Sequence, residues 1–301
     1  MIRQANTERG GSLAELLVSM AVSSLLLLGV FSSAQQLRRS SQVADNLHRL
    51  EEQARFVLDL LRADIRSAGF WGLHADHEVL RLGTAASVRC GSTDTSDWAL
   101  RLEQYVAAGN DAWLLPCAPF RNRRQPGADV LEIRRAASET SAADARKLQV
   151  LSSRREAVVF SGGAPPSLDG ATELRDLVVH AWYVSARSSR DAGTPSLRRK
   201  TLVRGRTLRD EEILSGVEDL QVRLALDTDR DGLADRVVDP GESGDAPVVA
   251  VRFWVLLRSD TQEAGYRDTR SYTYADQAAR RFSDSRRRLL VSGSEVVANA
   301  R

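Results

Sequence analysis

The stretch Arg9-Gly10-Gly11-Ser12-Leu13-Ala14-Glu15 and the apolar run behind it decide the fold of this chain. From Leu16 to Leu37 no side chain is charged, so the uncharged run has about 22 residues, and about 20 helical residues cross the hydrocarbon core of a bilayer. One carboxylate, Glu15, stands at the front edge of this run, where an acid is costly and is therefore a candidate functional group. Physics alone leaves open whether Glu15 has a function or lies among headgroups beside a plain single-pass anchor.

The residues from Ser12 to about Ala68 predict one long helix. Ser12 can cap its first turn, and Glu15 three residues later completes a capping box. Beyond the membrane-type run, apolar residues recur at steps of three and four, at Leu47, Leu50, Ala54, Leu58, Leu61, Ile65 and Ala68. No proline interrupts the pattern, and Gly69 is a plausible stop. We therefore expect the second half of the helix to pack on its own domain.

The remainder of the chain predicts a β-rich domain after a short helix at Asp94–Val106. Alternation in Val217–Leu226 predicts a sheet with one buried face. The stretch Val248–Leu257 is apolar on both faces, which predicts a central strand under the long helix. The candidate strands are Val130–Arg134, Leu148–Leu151, Ala157–Phe160, Leu177–Ala186, Leu197–Arg204, Val217–Leu226, Val248–Arg258 and Arg288–Val297.

The charge balance argues against a dedicated nucleic-acid binder. The chain has 301 residues, enough for one or two domains, and its formal net charge is +2, from 42 basic and 40 acidic residues. A cluster of arginines lies at Arg280, Arg281, Arg286, Arg287 and Arg288, but only Phe282 is interleaved with it, and base-stacking surfaces need aromatic residues. We interpret the cluster as solvated strand flanks, and direct DNA binding is not expected.

The sequence shows no signature of an enzyme. It contains no G-x-S-x-G, P-loop, C-x-x-C or H-E-x-x-H motif. His74 and His77 have the spacing H-x-x-H, which is weak evidence for a metal site when both lie in a loop. His180 lies within an apolar strand, where a histidine satisfied by core partners is the simpler interpretation than a catalytic base. We therefore expect a protein without catalytic activity.

The two cysteines leave two possibilities open. Cys90 and Cys117 can both stay reduced in a cytosolic protein. In an oxidising compartment they can form one disulfide that closes a loop of about 27 residues, worth roughly 3 kcal/mol in the chain-entropy model.

An acidic loop at 227–235 follows the calcium-loop pattern D-x-D-x-D-G-x-x-D. The candidate ligands are Asp227, Asp229, Asp231 and Asp235 with the backbone carbonyl of Leu233, while Gly232 makes the sharp turn. Calcium takes six to eight hard oxygens, and close carboxylates repel one another without a cation.

The pattern departs from an EF-hand at its twelfth position. Val238 replaces the bidentate glutamate there, and Asp239 is a possible substitute. The alternative to a calcium site is an acidic β-turn, partly neutralised by Arg230 and Arg236.

The leader resembles the signature of the type IV prepilin superfamily. The resemblance implies that a prepilin peptidase cuts between Gly10 and Gly11, which makes Glu15 the fifth mature residue. The family usually has Phe where this chain has Gly11, a departure that bears on methylation of the new N-terminus more than on cutting. In this family Glu15 would neutralise the ammonium of Gly11, or that of a neighbouring subunit, and so set the register of packed helices.

Later stretches resemble the PilW family of minor pilins and occur in the same order. They are Arg66–Gly72, Gly216–Arg223, Asp227–Gly232, Val249–Arg252 and Arg287–Ser292. The resemblance implies an α+β, type IV pilin-like fold with a long N-terminal helix packed on a C-terminal antiparallel sheet domain. The expected divisions are a leader at 1–10, the helix at 11–68 and a periplasmic head at 69–301. Export to the periplasm favours the Cys90–Cys117 disulfide.

The resemblance also implies a function. Such a subunit waits in the inner membrane, then joins other minor pilins in a tip or priming complex on which the major pilin polymerises. The fibre supports twitching motility, adhesion and DNA uptake. The alternative is a J-type pseudopilin of type II secretion, whose chains are usually shorter.

Processing of the leader gives the first testable prediction. Mass spectrometry of protein from the native membrane should find a chain that begins at Gly11. Gly10→Val should block cutting, because a branched side chain does not fit a site built for glycine. A chain that keeps Met1 in a cell with active peptidase would contradict the pilin interpretation.

Overall fold

The computed structural model describes residues 12–74, 80–83, 87–90, 94–96 and 98–300. The chain divides into two compact units, Met1–His48 and Arg49–Arg301. Helix α1, Leu13–Arg66, contributes to both units. The predicted cleavage site, Gly10 and Gly11, lies outside the described residues.

The described part of the first unit is helical from Leu13 onward and presents apolar side chains to its surroundings. Its large apolar residues between Leu13 and Leu37 are exposed. The helix contains an 18-residue window with a mean hydropathy of 2.1, so by length and composition it can cross a membrane. Its serines are satisfied locally: Ser24 Oγ donates to the carbonyl of Met20 at 2.9 Å, and Ser33 Oγ donates to that of Gly29 at 2.9 Å. Such bonds let hydroxyl groups lie in an apolar environment.

In the second unit, the last turns of α1 bury one stripe. The buried apolar residues are Leu50, Ala54, Val57, Leu61, Ile65 and Ala68. This corrects the predicted stripe at three positions: Val57 replaces Leu58, which is half-buried, and Leu47 is exposed. The helix ends at Arg66, and Gly69 follows with φ of +70° and the Tyr105 ring 3.2 Å from where a Cβ would stand. Glycine is therefore required at this turn.

The described strands follow α1 in this order. They are β1 Leu80–Leu82, β2 Val88–Cys90, β3 Asp94–Ser96, β4 Val106–Gly109, β5 Val130–Thr140, β6 Gln149–Ser152, β7 Ala157–Phe160, β8 Glu173–Ser185, β9 Ser196–Val203, β10 Thr207–Ser215, β11 Val217–Leu226, β12 Arg236–Val238, β13 Val248–Arg258, β14 Ser271–Tyr274, β15 Gln277–Arg281 and β16 Arg288–Val296.

These strands form two sheets and a hairpin. The large sheet has the order β1-β7-β6-β8-β9-β10-β2-β3, with β4 and β5 attached at β8, and it is antiparallel except where β1 meets β7 and β2 meets β10. The small sheet has the antiparallel order β12-β11-β13-β16, and β14 pairs with β15. The buried stripe of α1 and the inner faces of both sheets share one hydrophobic core. The predicted α+β class, in which the end of a long N-terminal helix packs on a mostly antiparallel sheet domain, is therefore confirmed.

The buried carboxylate of Asp64 fastens the helix to the large sheet. Its Oδ2 atom lies 2.7 Å from Nδ1 of His180 and accepts a 2.7 Å hydrogen bond from Nε1 of Trp182, both on β8. Arg135 on β5 lies 3.5 Å from the other oxygen. Burial alone would raise the pKa of Asp64, but these partners outweigh it and hold the pKa below its ordinary value. His180 is thus a satisfied core residue.

The short helix predicted at Asp94–Val106 is wrong. Strand β3, a 3₁₀ turn at Trp98–Leu100 and the start of β4 occupy this stretch instead. Trp98 and Tyr105 are buried, and their polar atoms donate to distant partners, Oε2 of Glu132 and the carbonyl of Val248. These long-range bonds override the local helical spacing.

Strand β10 was missed because its middle is charged. Arg209, Asp210, Glu211 and Glu212 interrupt the apolar pattern of this strand. The structure pairs Glu211 with Arg199, at 3.0 Å, and Asp210 with Lys200, at 2.8 Å, across the neighbouring β9. Opposite charges facing each other on paired strands stabilise a sheet without apolar side chains.

The β14–β15 hairpin, also missed, changes the burial of the small sheet. It covers the second face of β13, where Trp254 and Leu256 pack against Tyr272 and Tyr274. One face of β13 lies in the core that α1 shares, as predicted, and this hairpin covers the other face, so the two together explain why β13 is apolar on both faces. It also buries Asp219 and Gln221 on β11, which we predicted to face solvent.

The Cys90–Cys117 disulfide is present. It joins the end of β2 to the loop after β4, with the two Cα atoms 5.1 Å apart and a sequence separation of 27. Strands β1 to β3 are short, so this covalent link supplements the few ladder hydrogen bonds that hold them.

Removal of Asp64 should weaken the second unit. Asp64→Ala leaves the donors of His180 and Trp182 without an acceptor in the core, and we expect a loss of about 2–4 kcal/mol in the free energy of unfolding. Because the pKa of Asp64 is lowered in the folded chain, its contribution is present above the unfolded pKa of 3.8 and is lost as the pH falls below it.

Chemical denaturation of the full chain in detergent would test this at pH 7 and pH 3. Asp59→Ala is the matched control, since that side chain is 79% exposed on the same helix and should change stability by less than about 0.5 kcal/mol. Equal effects of the two substitutions at pH 7 would show that the buried carboxylate does not stabilise the packing of α1 on the large sheet.

Candidate functional site

Glu15 lies in the first turn of α1 and closes the capping box predicted from the sequence. Its Oε2 atom accepts the Ser12 N–H at 3.0 Å, and Oγ of Ser12 accepts the Ala14 N–H at 3.3 Å. Both side chains are exposed. The carboxylate is thus held at the N-terminus of the helix, beside the Ser12 amide, where it also faces the positive end of the helix dipole.

The acidic loop between β11 and β12 brings three of its four acids together. One carboxylate oxygen of each of Asp227, Asp229 and Asp235 lies within 4.8 Å of the others. Asp231 lies outside this group, because its Oδ1 accepts the N–H of Leu233 at 2.7 Å.

Backbone amides fix this loop from within. Asp227 Oδ1 accepts the N–H of Arg230 at 2.7 Å, and its Oδ2 accepts that of Gly232 at 2.7 Å. Asp235 Oδ2 accepts both the N–H and the hydroxyl of Thr228. Gly232 has φ of +87°, the left-handed conformation that the sharp turn requires. These bonds belong equally to an acidic turn, so they do not by themselves favour a metal.

Electrostatic effects differ between the acids of the loop, and hydrogen bonds from the backbone N–H and the hydroxyl of Thr228 lower the pKa of Asp235. The Asp231 amide lowers the pKa of Asp229, but desolvation and the carboxylates of Asp231, Asp235 and Asp227 raise it more, and the net shift is upward. Arg236, which neutralises the loop in the acidic-turn alternative, lies 4.0 Å from Glu242.

The twelfth position supplies no ligand. Val238 is buried in β12 opposite Leu224. Asp239, the substitute suggested by the sequence, accepts a 2.6 Å hydrogen bond from Nε of Arg223. Three carboxylates supply fewer oxygens than the six to eight that calcium takes, so water would have to complete the shell, and the site, with the carbonyl of Leu233 as a further ligand, stays a prediction.

Two other groups of residues were singled out in the sequence, the H-x-x-H pair and the arginine cluster. His74 is buried, and His77 lies outside the described residues. The arginine cluster is not simply a solvated flank. Arg288 is buried and forms ion pairs with Glu218 at 2.6 Å and Asp284 at 2.7 Å, and Arg287 pairs with Glu263 at 2.6 Å.

Asp129 is a buried acid that the sequence analysis missed. Its two oxygens accept the N–H groups of Asp111, at 3.0 Å, and of Val222 on β11, at 2.8 Å, so it links the start of β5 to the small sheet. Desolvation raises the pKa of Asp129 to about 7. The folded chain therefore binds the proton of the Asp129 carboxyl group more tightly than the unfolded chain does. The contribution of Asp129 to the free energy of unfolding falls as the pH rises from about 4 to 7.

Comparison with known proteins finds one family. Residues 181–299 match the family model PilW, described as type IV pilus-assembly protein W, and this confirms the resemblance over that range. A solved structure of a type IV-like pilin from Thermus thermophilus is similar with a TM-score of 0.39 and 11% identity, over 86% of this chain and 96% of that one. No curated protein matches the chain.

The calcium prediction is tested at Asp229. Asp229→Asn keeps an oxygen for the Asp231 amide but removes one charge from the loop, so calcium affinity should fall at least ~10-fold from a dissociation constant of about 10⁻⁴–10⁻³ M. Binding by the parent should also weaken as the pH falls, since protons compete for the same oxygens.

Calorimetric titration of the chelator-stripped full chain measures both effects. Asp169→Asn, an exposed acid outside the loop, is the matched control and should bind as the parent does. If the parent releases no binding heat and keeps its melting temperature at millimolar calcium, the loop is an acidic turn.

Proposed function

We propose that the chain is a minor pilin of a type IV pilus, because its residues 181–299 match the family model PilW, described as type IV pilus-assembly protein W. The family match is the observation that carries the proposal. In this proposal the subunit joins other minor pilins in the tip or priming complex, and the major pilin polymerises on that complex. The resulting fibre supports twitching motility, adhesion and DNA uptake.

The first unit would act as the membrane and fibre anchor. Its exposed apolar residues suit lipid before assembly and neighbouring helices after it, because both surroundings are apolar. Prepilin peptidase would cut between Gly10 and Gly11 and leave an ammonium at Gly11. The Glu15 carboxylate, already 3.0 Å from the Ser12 amide, is close enough in the chain to neutralise it.

The second unit would act as a periplasmic head. The disulfide supports an oxidising compartment, since cytosolic thiols are kept reduced. The role we propose is structural rather than catalytic. The closest acid–histidine pair among the described residues, Asp64 and His180, is buried and shares its oxygen with Trp182, an arrangement that ties a helix to a sheet.

Glu15→Val tests this function. If the carboxylate neutralises the subunit N-terminus, the variant should insert into the membrane normally, but its amount in sheared fibres should fall at least ~10-fold, the effect of about 1.4 kcal/mol. Glu51→Val, an exposed acid further along the same helix, is the matched control and should be incorporated normally.

Immunoblots of membranes and of sheared pili, normalised to the major pilin, provide the measurement. Normal incorporation of Glu15→Val would show that the acid only lies at the headgroups. Absence of the parent chain from both pili and pilus-assembly complexes would refute the pilin function itself.

A further inference from the structure

Strand β16 has an open edge. It pairs with β13 on one side and lies at the border of the small sheet. The Val297 N–H donates to the Val249 carbonyl, which fixes the alternation: odd-numbered residues of β16 bond to β13, and even-numbered residues direct their N–H and C=O outward. The outward residues are Leu290, Ser292, Ser294 and Val296, and their backbone groups bond to no other described residue.

Both ends of this edge are closed. At one end, Nη2 of Arg270 donates to the outward carbonyl of Arg288 at 2.8 Å. At the other end, the outward N–H of Ala298 donates to the carbonyl of Arg66, the last residue of α1, at 3.1 Å. Between these two caps lies a slot of seven residues, 290–296, roughly 20 Å long at ~3.4 Å per residue. An added strand of about this length would pair along the whole slot.

The slot has few of the features that normally protect an edge strand, since its one charged residue, Glu295, is paired with Arg66 at 2.7 Å. Charged side chains, proline, bulges and short length prevent unwanted pairing. Strand β10 carries four consecutive charged residues at 209–212 and a bulge between Glu212 and Leu214. The outer strands β1, β3, β4 and β12 are short. In contrast, β16 has nine residues in unbroken register, and Ser292, Gly293 and Ser294 at its centre are small.

Gly293 makes room for a core side chain beneath this edge. A Cβ at this position would lie 2.5 Å from the Phe253 ring on β13, so only glycine lets the ring pack beneath the strand. The ring supports β16 from the core side and leaves the outward groups of its neighbours, Ser292 and Ser294, free.

One charge beside the slot indicates what kind of segment fits. Arg252 lies directly across from Ser294 on β13, is exposed, and contacts the Trp254 ring at 4.9 Å. No carboxylate pairs with it in the part of the chain that the structure describes. Because Ser294 is small, an acidic side chain on a strand added to β16 can reach across it to the guanidinium.

We propose that the 290–296 slot receives an extended, acid-bearing segment of a different pilus subunit, which adds to β16 as a strand and places a carboxylate near Arg252. This inference rests on the proposed function, since it needs a neighbouring subunit. Backbone hydrogen bonds supply the affinity of such an addition, and the side chains facing Arg252 supply its specificity. A second copy of this chain fits less well, because the outward-face residues Ser292, Ser294 and Val296 of its own β16 carry no acid.

Ser294→Pro is the sharpest perturbation of the slot. Proline removes an N–H that points outward, so it blocks strand addition without breaking a bond to β13. The preceding residue is Gly293, which has no Cβ to clash with the proline ring. Ser294→Thr keeps the N–H and is the matched control, and Arg252→Glu tests the charge.

The experiment compares amide hydrogen exchange in the full chain, isolated in detergent and within tagged pilus-assembly complexes. The amides of Leu290, Ser292 and Val296 should exchange at least ~100-fold more slowly in the complex, for the parent and for Ser294→Thr. Ser294→Pro should keep its circular dichroism and melting temperature, lose this protection and enter complexes at least ~10-fold less. Arg252→Glu should also enter less.

Three outcomes would overturn the proposal. The first is a parent chain that enters complexes while these amides stay unprotected. The second is a folded Ser294→Pro variant that enters as the parent does. The third is protection in the isolated chain that depends on its concentration, which would identify a second copy as the occupant. If the parent enters no complex at all, the pilin function fails, and this inference fails with it.

Discussion

The buried carboxylate of Asp64 is the interaction on which the second unit depends. An ionised acid in an apolar core is costly unless several donors satisfy it. Asp64 meets this requirement with His180 and Trp182 on β8 and Arg135 on β5. These partners fix both the rotation of the end of α1 about its axis and its position along the large sheet. The apolar stripe supplies most of the driving force, but apolar contacts are not directional, and it is the carboxylate that selects the register.

The same principle operates on the small sheet, where charges are buried in groups. Arg288 is enclosed by Glu218, Asp268 and Asp284, and Asp219 accepts hydrogen bonds from Tyr274 and Arg280. Each group joins the β14–β15 hairpin or the chain beside it to the sheet. Removal of one member would leave the others uncompensated, so these networks favour one arrangement of the hairpin over its alternatives.

Several features follow from local patterns, and the sequence was sufficient to predict them. The strands Ala157–Phe160, Val217–Leu226 and Val248–Arg258 have the predicted bounds, because alternation and apolar runs are read within a few residues. The long helix, its N-terminal cap and the Cys90–Cys117 pairing also agree with prediction. The acidic loop was found from its spacing, although only three of its acids converge.

The sequence by itself therefore determined the helix, most strands, and the candidate residues near the N-terminus and in the acidic loop. Only the tertiary structure decided that Asp64, Asp129 and Asp219 are buried, and that the edge of β16 stays open between two caps. The physical reason is that burial and pairing depend on which distant segment covers a face. The partners of Asp64 lie 116 and 118 positions away, far beyond any local periodicity.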